Sequence, residues 1–180
     1  MVGIRSLVQY EPDPGWLERP AVLTGLREVA RRGLCNELLV LPHQLNAVVD
    51  ATRRVAESRF VLDHLAKPPI AAGGWQPWAD QLATLAHNDN ISAKISGLVT
   101  EADWSTWTPS DIRPYVDHAL SVFGPDRLIF GSDWPVCTLA ASFRQIVDLA
   151  DVIVAELSAG EQAAVLGGNA AVVYSLQGAS

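Results

Sequence analysis

Apolar residues in this chain come in short runs, each closed by a turn or a proline. The stretches between the runs carry their apolar positions at helical spacing. The sharpest run is Leu128-Ile129-Phe130, which follows the turn Gly124-Pro125-Asp126, halts at Gly131-Ser132 and cannot extend through Pro135. That is the profile of a buried strand. Residues 60–62 form a similar run, residues 3–9 and 90–96 alternate apolar with polar, and residues 37–41 run into Pro42. Between them, Val22, Leu23, Leu26, Val29 and Ala30 predict a helix over 21–32 ending at Gly33. Leu45, Val48, Val49 and Val55 predict a second over 44–57. Further helices are predicted over 75–86, from a cap at Ser110 or Asp111 to Val122, over 140–157, and over 161–174. The last four residues read as a frayed end.

Strand and helix thus alternate five times, the mark of an α/β fold with βα units on a parallel sheet. Each unit takes roughly 30 to 40 residues, and a complete (β/α)8 barrel takes about 250. The pattern leaves two architectures open: an open five-stranded α/β domain, or the back portion of a barrel. With no interdomain linker and no internal repeat, the 180 residues predict one domain.

Composition narrows the partners. A formal net charge of -7 repels phosphates, which argues against nucleic acid and acidic membrane surfaces. No apolar run is long enough to span a bilayer, and the first residues lack the regions of a secretory signal. Cys35 and Cys137 form neither a disulfide framework nor a zinc pattern. The expectation is a soluble cytoplasmic protein with reduced thiols.

Three predicted strand ends carry polar groups: Asp133, then Asp63-His64, then Lys94 with Ser96; the first strand adds Arg5 and Gln9. In a parallel sheet these ends converge, and a carboxylate, an imidazole and a cation together could activate water and polarise a carbonyl. Each has a plainer alternative. Asp133 serves equally well as the N-cap of a following helix, His64 as a structural histidine, Arg5 as an ordinary ion-pair partner, and Lys94 as a snorkelling side chain. Trp104, Trp107 and Trp134 fall in loops where an aromatic lid and simple packing are equally reasonable. His43 could face the same pocket or lie exposed, and His87 and His118 read as surface residues. Cys137 reads as a buried thiol rather than a nucleophile. Phosphate-binding glycine loops, a nucleophile elbow, His-x-His and His-Glu-x-x-His are all absent.

Several stretches taken together resemble the amidohydrolase-related family of metal-dependent-hydrolase-like TIM barrels, in the branch of L-fuconolactonases and the pyrone-dicarboxylate lactonase. They are Gly3-Ile4-Arg5 with Gln9 to Asp13, Phe60-Val61-Leu62-Asp63-His64-Leu65-Ala66-Lys67-Pro68, Lys94-Ile95-Ser96-Gly97-Leu98, Phe130-Gly131-Ser132-Asp133-Trp134-Pro135 and Gly168-Asn169-Ala170. The resemblance implies a (β/α)8 barrel of which this chain holds the C-terminal five βα units, an incomplete barrel. It implies Asp133 as general base on strand eight and His64 on strand six as the group that polarises the scissile carbonyl. It makes Arg5 and Lys94 candidates for holding substrate, with Trp104 and Trp134 as aromatic substrate contacts, and a lactone or related sugar acid as the partner. The family's N-terminal His-x-His segment is missing. A divalent metal such as zinc is therefore implied for a full-length relative and not established here, and His64 and Asp133 are the only ligands left for it. Unpaired sheet edges would favour a homo-oligomer. Two other readings stand beside the lactonase: a non-catalytic remnant or binding module, and a decarboxylase of a sister branch.

Overall fold

The computed structural model describes residues 1–176, so the predicted frayed end lies outside the described residues. Five strands, β1 (Gly3–Ser6), β2 (Cys35–Leu38), β3 (Phe60–Leu62), β4 (Ile91–Ile95) and β5 (Leu128–Phe130), form one parallel sheet in sequential order. Helices α1 (Pro20–Arg31), α2 (Leu45–Arg54), α3 (Trp78–Ala86), α4 (Pro109–Phe123) and α5 (Phe143–Val154) follow the five strands in turn. After them come α6 (Ala159–Ala163) and α7 (Asn169–Val173), joined by a widened helical turn at Ala164–Gly168. The α/β class and the βα alternation are those expected from the hydrophobic pattern.

The register explains how one sheet builds two environments. Leu38, Phe60, Leu62, Ile91, Ala93, Ile95 and Leu128 project to the side covered by α1–α5 and join the main core. Arg5 lies opposite Glu37, Glu37 opposite Val61, and Val61 opposite Ser92, so these residues share the other face. On that face Cys35, Val61 and Ile129 form a small separate cluster, packed by Ala170, Val173 and Tyr174 of the C-terminal segment. Asn169 pins that segment by donating to the carbonyls of Pro125 (2.7 Å) and Leu128 (2.8 Å), at the amino end of β5. The carboxyl end of the same face is thereby left to the loops.

Several boundaries differ from the sequence expectation. The first strand ends at Ser6 rather than residue 9, because Val8–Tyr10 winds into a 3-10 turn whose Gln9 N–H reaches the Leu39 carbonyl at 2.9 Å. The second strand pairs at Cys35–Leu38 rather than 37–41; Leu39 and Val40 are buried by core packing beyond the ladder. The third helix starts at Trp78, since Pro77 occupies its N-cap. Thr108, rather than Ser110 or Asp111, caps α4; Asp111 Oδ2 accepts from the Thr108 N–H at 2.7 Å and hydroxyl at 2.9 Å. The predicted helix over 140–157 is confined to 143–154, capped by Ser142. The predicted final helix is broken in register by the turn at 164–168, where a Cβ on Gly168 would stand 3.3 Å from the Ala163 carbonyl.

Candidate active site

Each of β3, β4 and β5 is followed by a backbone turn that brings one side chain to a common place at the carboxyl ends of the strands. After β3 the chain takes four consecutive left-handed residues, His64 (φ 53°), Leu65 (49°), Ala66 (59°) and Lys67 (54°). Such a run is costly without glycine and persists only when its surroundings hold it. Here the Trp78 indole donates to the Leu65 carbonyl at 2.7 Å, and Pro68 disfavours a right-handed helical Lys67. β4 ends at Ile95 and is followed by Ser96 and Gly97, the glycine at φ +62°. Beyond β5, Asp133 is itself left-handed at φ 55°, a conformation Asp tolerates better than most residues.

These turns bring His64, Ser96 and Asp133 together. His64 Nδ1 lies 2.7 Å from Ser96 Oγ, and Nε2 lies 3.6 Å from Asp133 Oδ1. The second distance exceeds a hydrogen bond and leaves the Asp133 carboxylate able to accept from a third group. Gly97 makes the assembly possible: a Cβ there would come within 2.7 Å of His64 Nδ1 and 3.0 Å of Asp133 Oδ2. Burial of the ring pushes the His64 pKa down to about 4, overriding the attraction of Asp133, so the imidazole is neutral at neutral pH. Asp133 does not act as a helix cap: the turn at Val136–Leu139 begins from Pro135 and receives no side-chain cap.

The other charged candidates form a second group on the same face. Lys94 Nζ contacts Glu37 Oε1 at 2.6 Å and Asp63 Oδ1 at 3.0 Å. Arg5 Nε contacts Glu37 Oε2 at 2.8 Å and Asp63 Oδ2 at 2.9 Å. The Tyr174 hydroxyl also donates to Glu37 Oε1. Burial would raise Glu37, but its bonds from Lys94, Tyr174 and Arg5 win and hold it at about 2. Asp63 is fully buried, and neither oxygen makes a well-aligned hydrogen bond among the described residues. Burial therefore raises its pKa in spite of Lys94 and Arg5.

Arg5 and Lys94 thus direct their charge to two carboxylates of the chain, and Arg5, at the edge strand, keeps a partly exposed guanidinium. Trp134 follows Asp133 directly and is 64% exposed. Trp104 is 53% exposed and lines a groove with Trp107, Gln145 and Asp148 whose lining contains neither His64 nor Asp133. His43 and His87 are exposed. His118 is not a free surface residue: it packs edge-on against Trp75 and its Nε2 reaches the Ala79 carbonyl at 2.9 Å. Cys137 is fully buried, and burial raises its thiol pKa. Sequence reasoning passed over Glu37 and Tyr174. An acid within a strand of a parallel sheet, whose two faces are normally covered, signals Glu37; nothing local signals Tyr174, which reaches the sheet from the far end of the chain.

Five sequential parallel strands with helices on one face and polar side chains gathered at their carboxyl ends are the arrangement of part of an α/β barrel. The chain belongs to the amidohydrolase family, whose model matches residues 1–176. It is 41% identical over 188 residues to a protein named L-fucono-1,5-lactonase from Burkholderia multivorans, covering 97% of this chain and 62% of that one. A protein of the same name from Burkholderia ambifaria is 39% identical over 143 residues, covering 78% of this chain and 48% of the relative. The fold superposes on a crystal structure of an amidohydrolase from Burkholderia multivorans with bound HEPES, with a TM-score of 0.92 and 36% identity, over 97% of this chain and 65% of that chain. A second crystal structure described in the same terms, with bound zinc, matches equally well, at a TM-score of 0.92. The chain therefore spans about half to two thirds of the length of these relatives.

A zinc ion wants three or four protein ligands. Among the described residues no group of three or more His, Cys, Asp or Glu side chains is placed to hold one. His64 and Asp133 would be two ligands of such a site, so the residues present do not make a complete one. No helix among the described residues is long and apolar enough to cross a membrane.

Proposed function

We propose that this chain is the C-terminal five βα units of a (β/α)8 lactonase, and that it carries the water-activating half of the active site. The observation behind the reading is the His64–Asp133 pair. A neutral imidazole and a carboxylate face each other across 3.6 Å at the carboxyl ends of the third and fifth units, on either side of β4, where barrel enzymes place their chemistry. The names of the two Burkholderia relatives point to a sugar lactone as the substrate class.

In this reading Asp133 accepts a proton from a water molecule as the water oxygen attacks the lactone carbonyl carbon. The carbonyl oxygen takes up negative charge, and His64 stabilises it by hydrogen bonding. Collapse breaks the ring C–O bond, the ring oxygen leaves as a hydroxyl by taking the proton held on Asp133, so that Asp133 returns to the carboxylate, and a hydroxy acid is released. A neutral His64 suits this work, because it offers an N–H without a fixed charge that would pair with Asp133 in the resting site. Arg5, Lys94, Trp104 and Trp134 are the proposed substrate contacts. The exposed Trp134 is the best placed by its position beside Asp133, whereas Arg5 and Lys94 are already occupied by Glu37 and Asp63.

The test is hydrolysis of L-fucono-1,5-lactone by this chain, alone and fused behind the first three βα units of the Burkholderia multivorans relative. Asp133→Asn is expected to lower kcat about 10²–10⁴-fold with the fold intact. Equal rates in the two proteins would refute the assignment.

A further inference from the structure

We infer that Ser96 is a positioning residue for His64: its hydroxyl donates to Nδ1 and, with Asp133 facing Nε2, fixes the ring as the Nε2–H tautomer that points an N–H into the cleft. The inference deepens the proposed hydrolase reading and rests on it for its catalytic meaning, but its geometry stands alone.

A neutral imidazole has one donor and one acceptor nitrogen, and the neighbours decide which is which. The neighbour of Nε2 is Asp133 Oδ1, 3.6 Å away, and a carboxylate can only accept. An N–H on Nε2 is favoured there and a lone pair on Nε2 is opposed. Nδ1 is then the lone pair, buried with the ring, and needs a donor. Ser96 Oγ, 2.7 Å away and itself buried, has a rotatable O–H and no other hydrogen-bond partner among the described residues. Serine therefore supplies what a carbonyl in its place could not.

The surroundings hold that hydroxyl in place. Ser96 is the last residue before Gly97, whose missing side chain lets the ring approach, and a Cβ on Gly131 of the next strand end would lie 3.2 Å from Ser96 Cβ. The serine is thus set between two glycines that admit the ring on one side and the next strand on the other. The charged groups that influence the ring are Asp133, Lys67, Arg5 and Lys94. Of these, Asp133 is the one that the structure places against a ring nitrogen. The functional consequence is directional: a fixed Nε2–H is a hydrogen-bond donor aimed at the space next to Asp133, where a carbonyl oxygen would acquire charge.

The experiment is long-range ¹H–¹⁵N correlation NMR on the ¹⁵N-labelled 180-residue chain at neutral pH in EDTA, with His64 assigned by His64→Gln. His87 and His118 are internal standards for the two tautomers, since Nδ1 of His87 donates to the Ala83 carbonyl and Nε2 of His118 to the Ala79 carbonyl. Wild type is expected to show the Nε2–H pattern at His64, with the unprotonated Nδ1 shifted upfield by its accepted bond. Ser96→Ala should move that Nδ1 resonance downfield and broaden it, and Ser96→Thr should return it. An Nδ1–H pattern in wild type, or an unmoved Nδ1 in Ser96→Ala, would overturn the inference. The wild-type tautomer decides the matter even where Ser96→Ala fails to fold, and Ser96→Cys, a weaker donor of similar size, then gives the intermediate shift. Lactone turnover is recorded in parallel on the fusion behind the first three βα units of the Burkholderia multivorans relative. A correct tautomer without turnover removes the hydrolase reading and keeps Ser96 in its role; turnover with the opposite tautomer does the reverse.

Discussion

Two polar groups share the same face of the sheet and use their charge in opposite ways. In the Glu37–Lys94–Asp63–Arg5 group every carboxylate oxygen lies within 3.0 Å of a cationic nitrogen, and Tyr174 adds a further donor. In the His64–Ser96–Asp133 group one nitrogen is satisfied and the other stops 3.6 Å short of its carboxylate. The first group matches its charges inside the chain, and the partly exposed Arg5 guanidinium keeps spare donors. The second keeps an acceptor and a donor in reserve, at the cleft end where loops rather than helices surround it. An aspartate can thus have its charge matched by neighbouring cations, as Asp63 does, or keep its accepting capacity free, as Asp133 does.

Perturbing the first group should therefore damage stability. Lys94→Met leaves Glu37 and Asp63 without one of their two cations, and is expected to cost about 3–5 kcal/mol in urea unfolding. A cost below about 1 kcal/mol would show that water reaches the group and that the contrast is weaker than the geometry implies.

The His64–Ser96–Asp133 group should instead leave its mark on pH dependence. His64 has a folded pKa of about 4 against an ordinary value of 6.5. The unfolded chain therefore binds a proton first as pH falls, and stability present above pH 6.5 is lost between about 6.5 and 4. Glu37, depressed from 4.5 to about 2, extends that loss to lower pH, since its contribution is full above 4.5 and fades toward 2. Asp63, raised by burial, acts in the opposite sense: its protonation favours the folded state and offsets part of the loss. Denaturation midpoints measured across this range should flatten between pH 6.5 and 4 in His64→Gln while the fall at lower pH persists.

Gly97→Ala tests the packing that lets the His64–Ser96–Asp133 group assemble. An alanine at φ +62° with its Cβ 2.7 Å from His64 Nδ1 should lose about 1–3 kcal/mol of stability. It should also displace the ring, with loss of any lactone turnover. The smallest expected effect is Tyr174→Phe, which removes one donor from a Glu37 that retains Lys94 and Arg5. About 1 kcal/mol in the same unfolding assay is expected, with His64 resonances unchanged. A large change at His64 would mean that the two groups are coupled after all.

Much of the architecture was legible along the chain. Short apolar runs and alternating segments located the five strands, and helical spacing located the helices between them, because burial in a sheet or along a helix face leaves a local signature. One boundary slipped where a tertiary contact outweighed local preference, as Val8–Tyr10 turns to meet Leu39; the cap of α4 moved within the local sequence, to Thr108 in its box with Asp111. His64 and Asp133 could be named from the sequence because each ends a recognisable strand. Whether Asp133 caps a helix or faces a histidine could not, since both follow from the same local pattern.

The sequence by itself thus determined the alternating βα order, the parallel sheet and the set of polar residues at its carboxyl end. Periodicity and turn chemistry are properties of neighbouring residues. Only the tertiary structure decided how those polar residues were divided. Arg5, Glu37, Asp63 and Lys94 come from four different strands or their ends, and Tyr174 from the last helix. Their pairing depends on register and on α7 folding back beneath the sheet. The gap between His64 and Asp133 likewise depends on left-handed turns at two strand ends and on the space left by Gly97. Distances of that kind are set by how separate elements pack, and no local stretch of the chain contains them.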